Sequence, residues 1–141
     1  MQGAYEGHGI RFLYPESWEL REQTDDQFAS ISVESPHTSS WSISLFLDNP
    51  TPEEVVGSAV ETFRDEYDEV DVYPSQETLP GRPGVSRDLD FFCFELINSA
   101  FLRAFRTERF TALVLYQGFD GELETTRPLL ESISNSLEVL E

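Results

Sequence analysis

Gly9-Ile10-Arg11-Phe12-Leu13-Tyr14-Pro15-Glu16-Ser17-Trp18 is the stretch that says most about the architecture of this chain. Ile10, Phe12 and Tyr14 share one side of an extended segment and Arg11 lies on the other, the alternation of a strand with one buried face. Pro15 to Ser17 then reads as a turn, with Trp18 as an aromatic anchor opening a second strand at Trp18 to Arg21. An antiparallel sheet therefore starts close to the N-terminus. No charged-then-apolar leader precedes the first strand and no apolar run approaches membrane-spanning length, so the expected compartment is the cytoplasm, without membrane insertion.

Outward from this opening the pattern stays β for the first third of the chain. Thr24 to Gln27 is a polar turn. Ala29, Ile31 and Val33 oppose Phe28, Ser30, Ser32 and Glu34, and after the loop Ser35 to Ser40 the series Trp41, Ile43, Leu45, Leu47 alternates with serines and Phe46. Both segments read as strands of a meander. The period then changes. Thr51 suits an N-cap, Pro52 the first helical position, and Glu53 and Glu54 the positive end of a helix dipole. Val55, Val56, Ala59, Val60, Phe63 and Tyr67 follow on one helical stripe, with Glu61, Arg64, Asp65 and Asp68 facing out.

Val70 to Leu79 returns to strand, and Pro80-Gly81-Arg82-Pro83-Gly84 forms a sharp turn. Val85 to Asn98, Ala100 to Thr107 and Phe110 to Gln117 read as three antiparallel strands. Phe91 to Leu96 is apolar on both faces, so this strand is expected to be central and covered on both sides. Asp120-Gly121 makes the last turn, and a second helix starts by Thr126 at the latest, with Pro128 in its first turn and Leu129, Leu130, Ile133 and Leu137 on its buried side. The expectation is one domain, residues 1–141, of the α+β class: a central antiparallel sheet of about six or seven strands flanked by two main helices, an α/β/α sandwich. Two helices cannot cover both faces of so wide a sheet, and binding would be built most cheaply on the part left open.

The strand, the Tyr14-Pro15 turn and Trp18 resemble the opening of the PsbP-like superfamily, which includes the photosystem II extrinsic P subunit. A meander before a Pro52-started helix is similar to that family's layout. So are the Gly81-Arg82-Pro83-Gly84 turn leading into a long central strand and the final helix with Pro128 and Ser136. The resemblance implies a PsbP-like fold and a protein without chemistry of its own. Members serve as photosystem accessory subunits, as nucleotide-release factors for a nuclear-transport GTPase, and as Eag-type chaperones for secreted bacterial effectors. It brings no catalytic residue to this chain, and fold likeness does not choose among these roles.

Composition narrows the classes further. The 141 residues are 39% hydrophobic and 13% aromatic, with eleven phenylalanines, enough for a folded core without metal or disulfide staples. The formal charge is −18, and all the basic residues are arginines. Such a field repels phosphate backbones and anionic lipid surfaces and attracts cations or basic protein surfaces. Solubility alone, or a salty milieu, is the simpler explanation of this charge. Cys93 is the only cysteine, which excludes an intrachain disulfide, and its apolar neighbours mark it as an inert small hydrophobe.

No pattern of catalytic residues emerges. His8 and His37 with one cysteine do not make a zinc set, no serine occupies a glycine-flanked elbow, and Pro83 removes an amide that a phosphate loop would need. Asp65, Asp68, Glu69 and Asp71 belong to the densest acidic run, read as a solvated helix end or, in the second place, as a calcium-type cation site. Asp88 and Asp90 share a strand face and are read as either simply exposed or paired with Arg103 or Arg106 next door. The leading expectation is a non-enzymatic, protein-binding accessory or chaperone-like module without cofactors. It would use Trp41, Phe101, Arg103 and Phe105 on the uncovered face of the sheet. A homodimer is the other assembly expected, and a small-ligand or cation binder the rival function.

Overall fold

A computed structural model describes residues 2–140. In chain order these form β1 (Gln2–Gly7), β2 (Ile10–Pro15), β3 (Glu19–Thr24), β4 (Phe28–Glu34), β5 (Ser40–Phe46), α1 (Pro52–Glu66), β6 (Val70–Pro74), β7 (Val85–Cys93), β8 (Leu96–Arg106), β9 (Thr111–Phe119), α2 (Asp120–Ser136) and β10 (Glu138–Val139). Seven strands make one antiparallel sheet in the order β3-β4-β5-β9-β8-β7-β6, and a small sheet runs β1-β2-β10. The α+β class and the antiparallel sheet with two helices are as the periodicity predicts.

The strand pattern sends alternate residues to two separate cores. Ile31, Val33, Trp41, Ile43, Leu45, Phe101, Phe105, Val114 and Tyr116 point to one face, where α2 contributes Leu123, Leu130 and Ile133. The small sheet adds Ile10 and Phe12 to that core, and the opening turn adds Trp18, whose backbone N–H donates to the Pro15 carbonyl at 3.0 Å. On the opposite face Leu89, Phe91, Ala100, Leu102, Ala104 and Leu113 pack under Val55, Val56 and Phe63 of α1. That helix begins as expected: the Thr51 hydroxyl accepts from the Glu54 amide, and Pro52 lies at the first helical positions.

Several expectations need correction. Gln2–Gly7 is a strand, paired with β2 through a turn at His8 and Gly9, both at positive φ. Its small and polar residues, Gln2, Gly3, Ala4 and Glu6, hide the alternation. The opening strand β2 belongs to the small sheet rather than to the meander, because the chain after Trp18 crosses to the edge of the large one. The strand from Val70 stops at Pro74. Asp120 and Gly121 are the first residues of α2, not a turn, and Pro128 sits inside that helix rather than in its first turn, so the Glu124 carbonyl lacks its helical donor. Most consequential for function, Val85 to Asn98 is two strands. The chain reverses at Phe94-Glu95, and β8 starts at Leu96.

α1 covers β6 to β9 and leaves β3 to β5 bare on its side. Apart from the Phe28–Phe46 pair at one end, ring centroids 5.3 Å apart, the bare strip is polar. Ser30 pairs across from Ser44 and Ser32 from Ser42, with Arg21 opposite Ser32 on the edge strand. An incompletely covered face exists, as expected, but serines line it.

Candidate functional site

The four residues expected to form a binding surface lie inside the molecule. Trp41 is 0% exposed, Phe101 5%, Phe105 1% and Arg103 3%. They share a face, as their strand parity predicts, but it is the face closed by α2 and the small sheet. Trp41 donates from Nε1 to the Ser134 hydroxyl of α2 at 2.9 Å, and its ring lies 4.7 Å from Phe12 of β2. Phe101 stacks on Tyr116 at 4.9 Å, with the Arg127 guanidinium 4.4 Å above its ring. These aromatics hold the layers together.

Arg103 is the buried cation of this face. Its Nη1 lies 2.7 Å from Asp88 Oδ1 on β7 and its Nη2 3.2 Å from Glu77, so of the arrangements open to Asp88 the structure has the cross-strand pair with Arg103. The Arg87 and Leu102 carbonyls accept further hydrogen bonds. Beside it lies a cleft of about 330 Å³ bordered by Thr78, Tyr116, Glu131 and Asn135. Burial pushes the Tyr116 hydroxyl above its ordinary pKa. The guanidinium already has its carboxylates, so this corner reads as a satisfied structural ion pair.

The acidic run is spread out rather than gathered. Asp65, Asp68, Glu69 and Asp71 are all exposed, and among the described residues no three His, Cys, Asp or Glu side chains converge as a metal would require. A helix end projects successive side chains in different directions, which is why the cluster in sequence is not one in space. His8 lies 3.3 Å from Glu22, and His37 is exposed in the β4–β5 loop.

What sequence reasoning missed is the end of the β7–β8 hairpin. β6 pairs with β7 no further than Phe91, and β9 with β8 no further than Asn98, so residues 92–97 extend past both neighbours. The protruding residues are apolar and exposed: Phe92 52%, Phe94 93%, Leu96 43%, Ile97 48%. The apolar run is thus a projecting tip, not a covered central strand. The turn is made by Phe94 at φ +51° and Glu95 at φ +64°. Two consecutive left-handed residues are what a two-residue hairpin turn demands, but Asn-Gly is the usual occupant, and a bulky side chain there costs about 1–2 kcal/mol per residue. An exposed phenylalanine in a strained turn is a local conflict of the kind that gathers at functional positions.

Below the tip, on the α1 side, the sheet has an apolar hollow. α1 ends at Glu66 and its C-cap residue Tyr67 lies over Phe91, ring centroids 4.5 Å apart. Beyond Tyr67 the face is open as a cleft of about 280 Å³ lined by Phe91, Cys93, Phe94, Leu96 and Phe119. Cys93 is half-buried there rather than enclosed in a strand core. Burial raises the pKa of the Tyr67 hydroxyl, with Glu66 and Cys93 adding to the effect. On the far wall, Thr38 and Ser39 donate to the Glu122 carboxylate at 2.5–3.0 Å, which ties the β4–β5 loop to the start of α2.

The same arrangement of strands and helices recurs in solved structures. Cyanobacterial PsbP from Synechocystis superposes with a TM-score of 0.57 over 98% of this chain and 92% of its own, at 15% identity. The fold is PsbP-like. A Pseudomonas aeruginosa protein of unknown function, PA94, has the fold over 99% of this chain and 98% of its own, at TM-score 0.58 and 12% identity. A Bacteroides thetaiotaomicron protein matches 94% of this chain at TM-score 0.58 and 14% identity, and this chain spans just under half, 46%, of its length. No family model and no curated protein matches the sequence. At these identities the likeness is one of fold, and the PsbP-like fold does not name a role.

Proposed function

We propose that this chain is a non-enzymatic, protein-binding module of the accessory or chaperone-like kind, and that it docks through the end of the β7–β8 hairpin. The supporting observation is the tip itself: Phe92, Phe94, Leu96 and Ile97 stand out past the neighbouring strands, above an apolar hollow, on a strained turn. Apolar side chains gathered in this way at one projecting end mark an interaction site more often than scattered surface residues do. The module meets its partner with this end rather than with the aromatic face under α2, whose residues are taken up by packing.

A small-ligand or cation binder has less in its favour, since Arg103 is already paired and the carboxylates of Asp65 to Asp71 diverge. The test is affinity capture from native extract with the wild-type chain and the double variant Phe94→Ser/Leu96→Ser. A protein retained by the first and lost by the second supports the reading, provided the two unfold alike. Equal capture by both refutes it.

A further inference from the structure

We infer that the hollow beneath the β7–β8 tip receives a basic segment of a partner protein, anchored by an apolar side chain and held by cationic side chains at its rim. This rests on the docking end proposed above and adds the chemistry of the occupant. The floor is apolar, from Phe91, Cys93, Leu96 and Phe119, with Tyr67 at one wall and Phe94 projecting beside it. Acidic residues border it on the Tyr67 side and at the turn, and the side formed by Thr38, Asn98 and Gln117 is polar and uncharged. The segments on the acidic sides, 65–71 and 92–97, carry Asp65, Glu66, Asp68, Glu69, Asp71 and Glu95 and no arginine, whereas Asp90 and Asp120 are hydrogen-bonded to the Ser99 hydroxyl. Glu66 and Asp68 flank Tyr67 in sequence, Glu69 precedes the residue paired with Phe91, and Glu95 is in the turn itself.

A carboxylate rim repels an anionic membrane surface and an acidic peptide, and complements lysine or arginine set beside an apolar anchor. The rim carboxylates Glu66, Asp68, Glu69 and Glu95 are exposed, free to close on a cation as it arrives and to speed the encounter. The aliphatic anchor supplies the burial energy that exposed ion pairs cannot.

The probe is a short fluorescent leucine–lysine amphipathic peptide, read by anisotropy, with its leucine–glutamate counterpart as comparison. Because the whole chain is strongly acidic, two sets of charge removal are compared. Glu66→Gln/Asp68→Asn/Glu69→Gln discharges the rim. Glu16→Gln/Glu108→Gln/Glu138→Gln removes the same charge from exposed sites away from the hollow. The wild-type chain should bind the lysine peptide and not the glutamate one. Phe94→Ser/Leu96→Ser should weaken binding about tenfold or more, the rim variant several-fold, and the remote variant much less.

If the tip variant weakens binding while the rim and remote variants behave alike, the basic occupant is overturned and the docking end stands. If the tip variant binds like wild type and both charge sets weaken binding equally, attraction is to net charge alone and both readings fall. Equal binding of the glutamate peptide, or none of either, overturns the inference. So does Phe94-dependent partition onto phosphatidylcholine vesicles in preference to the peptide. A dimer seen by light scattering and dissolved by Phe94→Ser overturns it too, by making a second copy the occupant.

Discussion

Phe105 and Phe94 belong to one hairpin and have opposite fates. Phe105 faces α2 and the small sheet and is 1% exposed, whereas Phe94 occupies the turn and is 93% exposed. The distance between them along β8 is the distance between a region whose aromatics bind the protein's own layers together and one whose aromatics meet nothing. Aromatic content therefore does not locate a binding surface in a chain so rich in phenylalanine. What locates it is where strand pairing and helix cover stop: β6 ends its pairing at Phe91, β9 at Asn98, and α1 at Glu66. Past those limits the same residue types change from structural to available.

The comparison breaks most visibly under truncation. Trp41→Ala should lower the unfolding free energy by about 3–5 kcal/mol in urea titration, through loss of packing on Phe12 and of the bond to Ser134. Phe94→Ala should change it by less than about 0.5 kcal/mol. Similar costs for the two would mean the tip is part of the packed body. A middling effect is expected at Arg103. Asp88→Ala removes its shortest ion pair and leaves a buried guanidinium to Glu77 and carbonyl oxygens, at a cost of about 2 kcal/mol by the same titration.

A stabilising change sharpens the contrast. Phe94→Asn/Glu95→Gly puts residues suited to left-handed backbone into the turn and should raise stability by about 1–2 kcal/mol, seen as a higher Tm. Partner capture should fall in the same variant, an exchange of function for stability characteristic of strained sites.

The smallest effect concerns pH. Burial raises the Glu122 pKa, but the hydrogen bonds from Thr38 and Ser39 outweigh it and hold the carboxyl below its usual range. A folded-state pKa below the unfolded one means a stabilisation that is present at neutral pH and lost as pH falls through the lowered value. Glu122→Gln should therefore be less stable than wild type at neutral pH, with the gap closing in acid. Exposure of the tip should not change over that range, as reported by hydrophobic-dye binding.

Much of this was legible in the residues. Alternation in Phe28–Glu34 and Ser40–Phe46 and the Thr51-Pro52 helix start follow from side-chain period and capping, which are local properties. The Arg103 partner of Asp88 was one of several arrangements its strand face left open. The hairpin tip was not legible, for a physical reason. An apolar run buried on both faces and one that projects into solvent have the same composition, and Phe94-Glu95 carries none of the Asn-Gly chemistry that announces a reversal. Phe101, Arg103 and Phe105 alternate along β8 and so share a face, but which face α2 and the small sheet would close depended on β1, whose small and polar residues conceal a strand. The Asp65 to Asp71 run was misleading in the opposite sense, because closeness along a helix end is not convergence.

The central claim is that partners meet the hairpin end and not some other exposed apolar spot. A photo-crosslinking phenylalanine analogue placed at position 94, and separately at Leu47, which is 49% exposed after β5, tests it in native extract. Covalent adducts to a discrete protein from position 94, with none from position 47, are the predicted result. Adducts of equal yield from both positions, or from Leu47 alone, would contradict it.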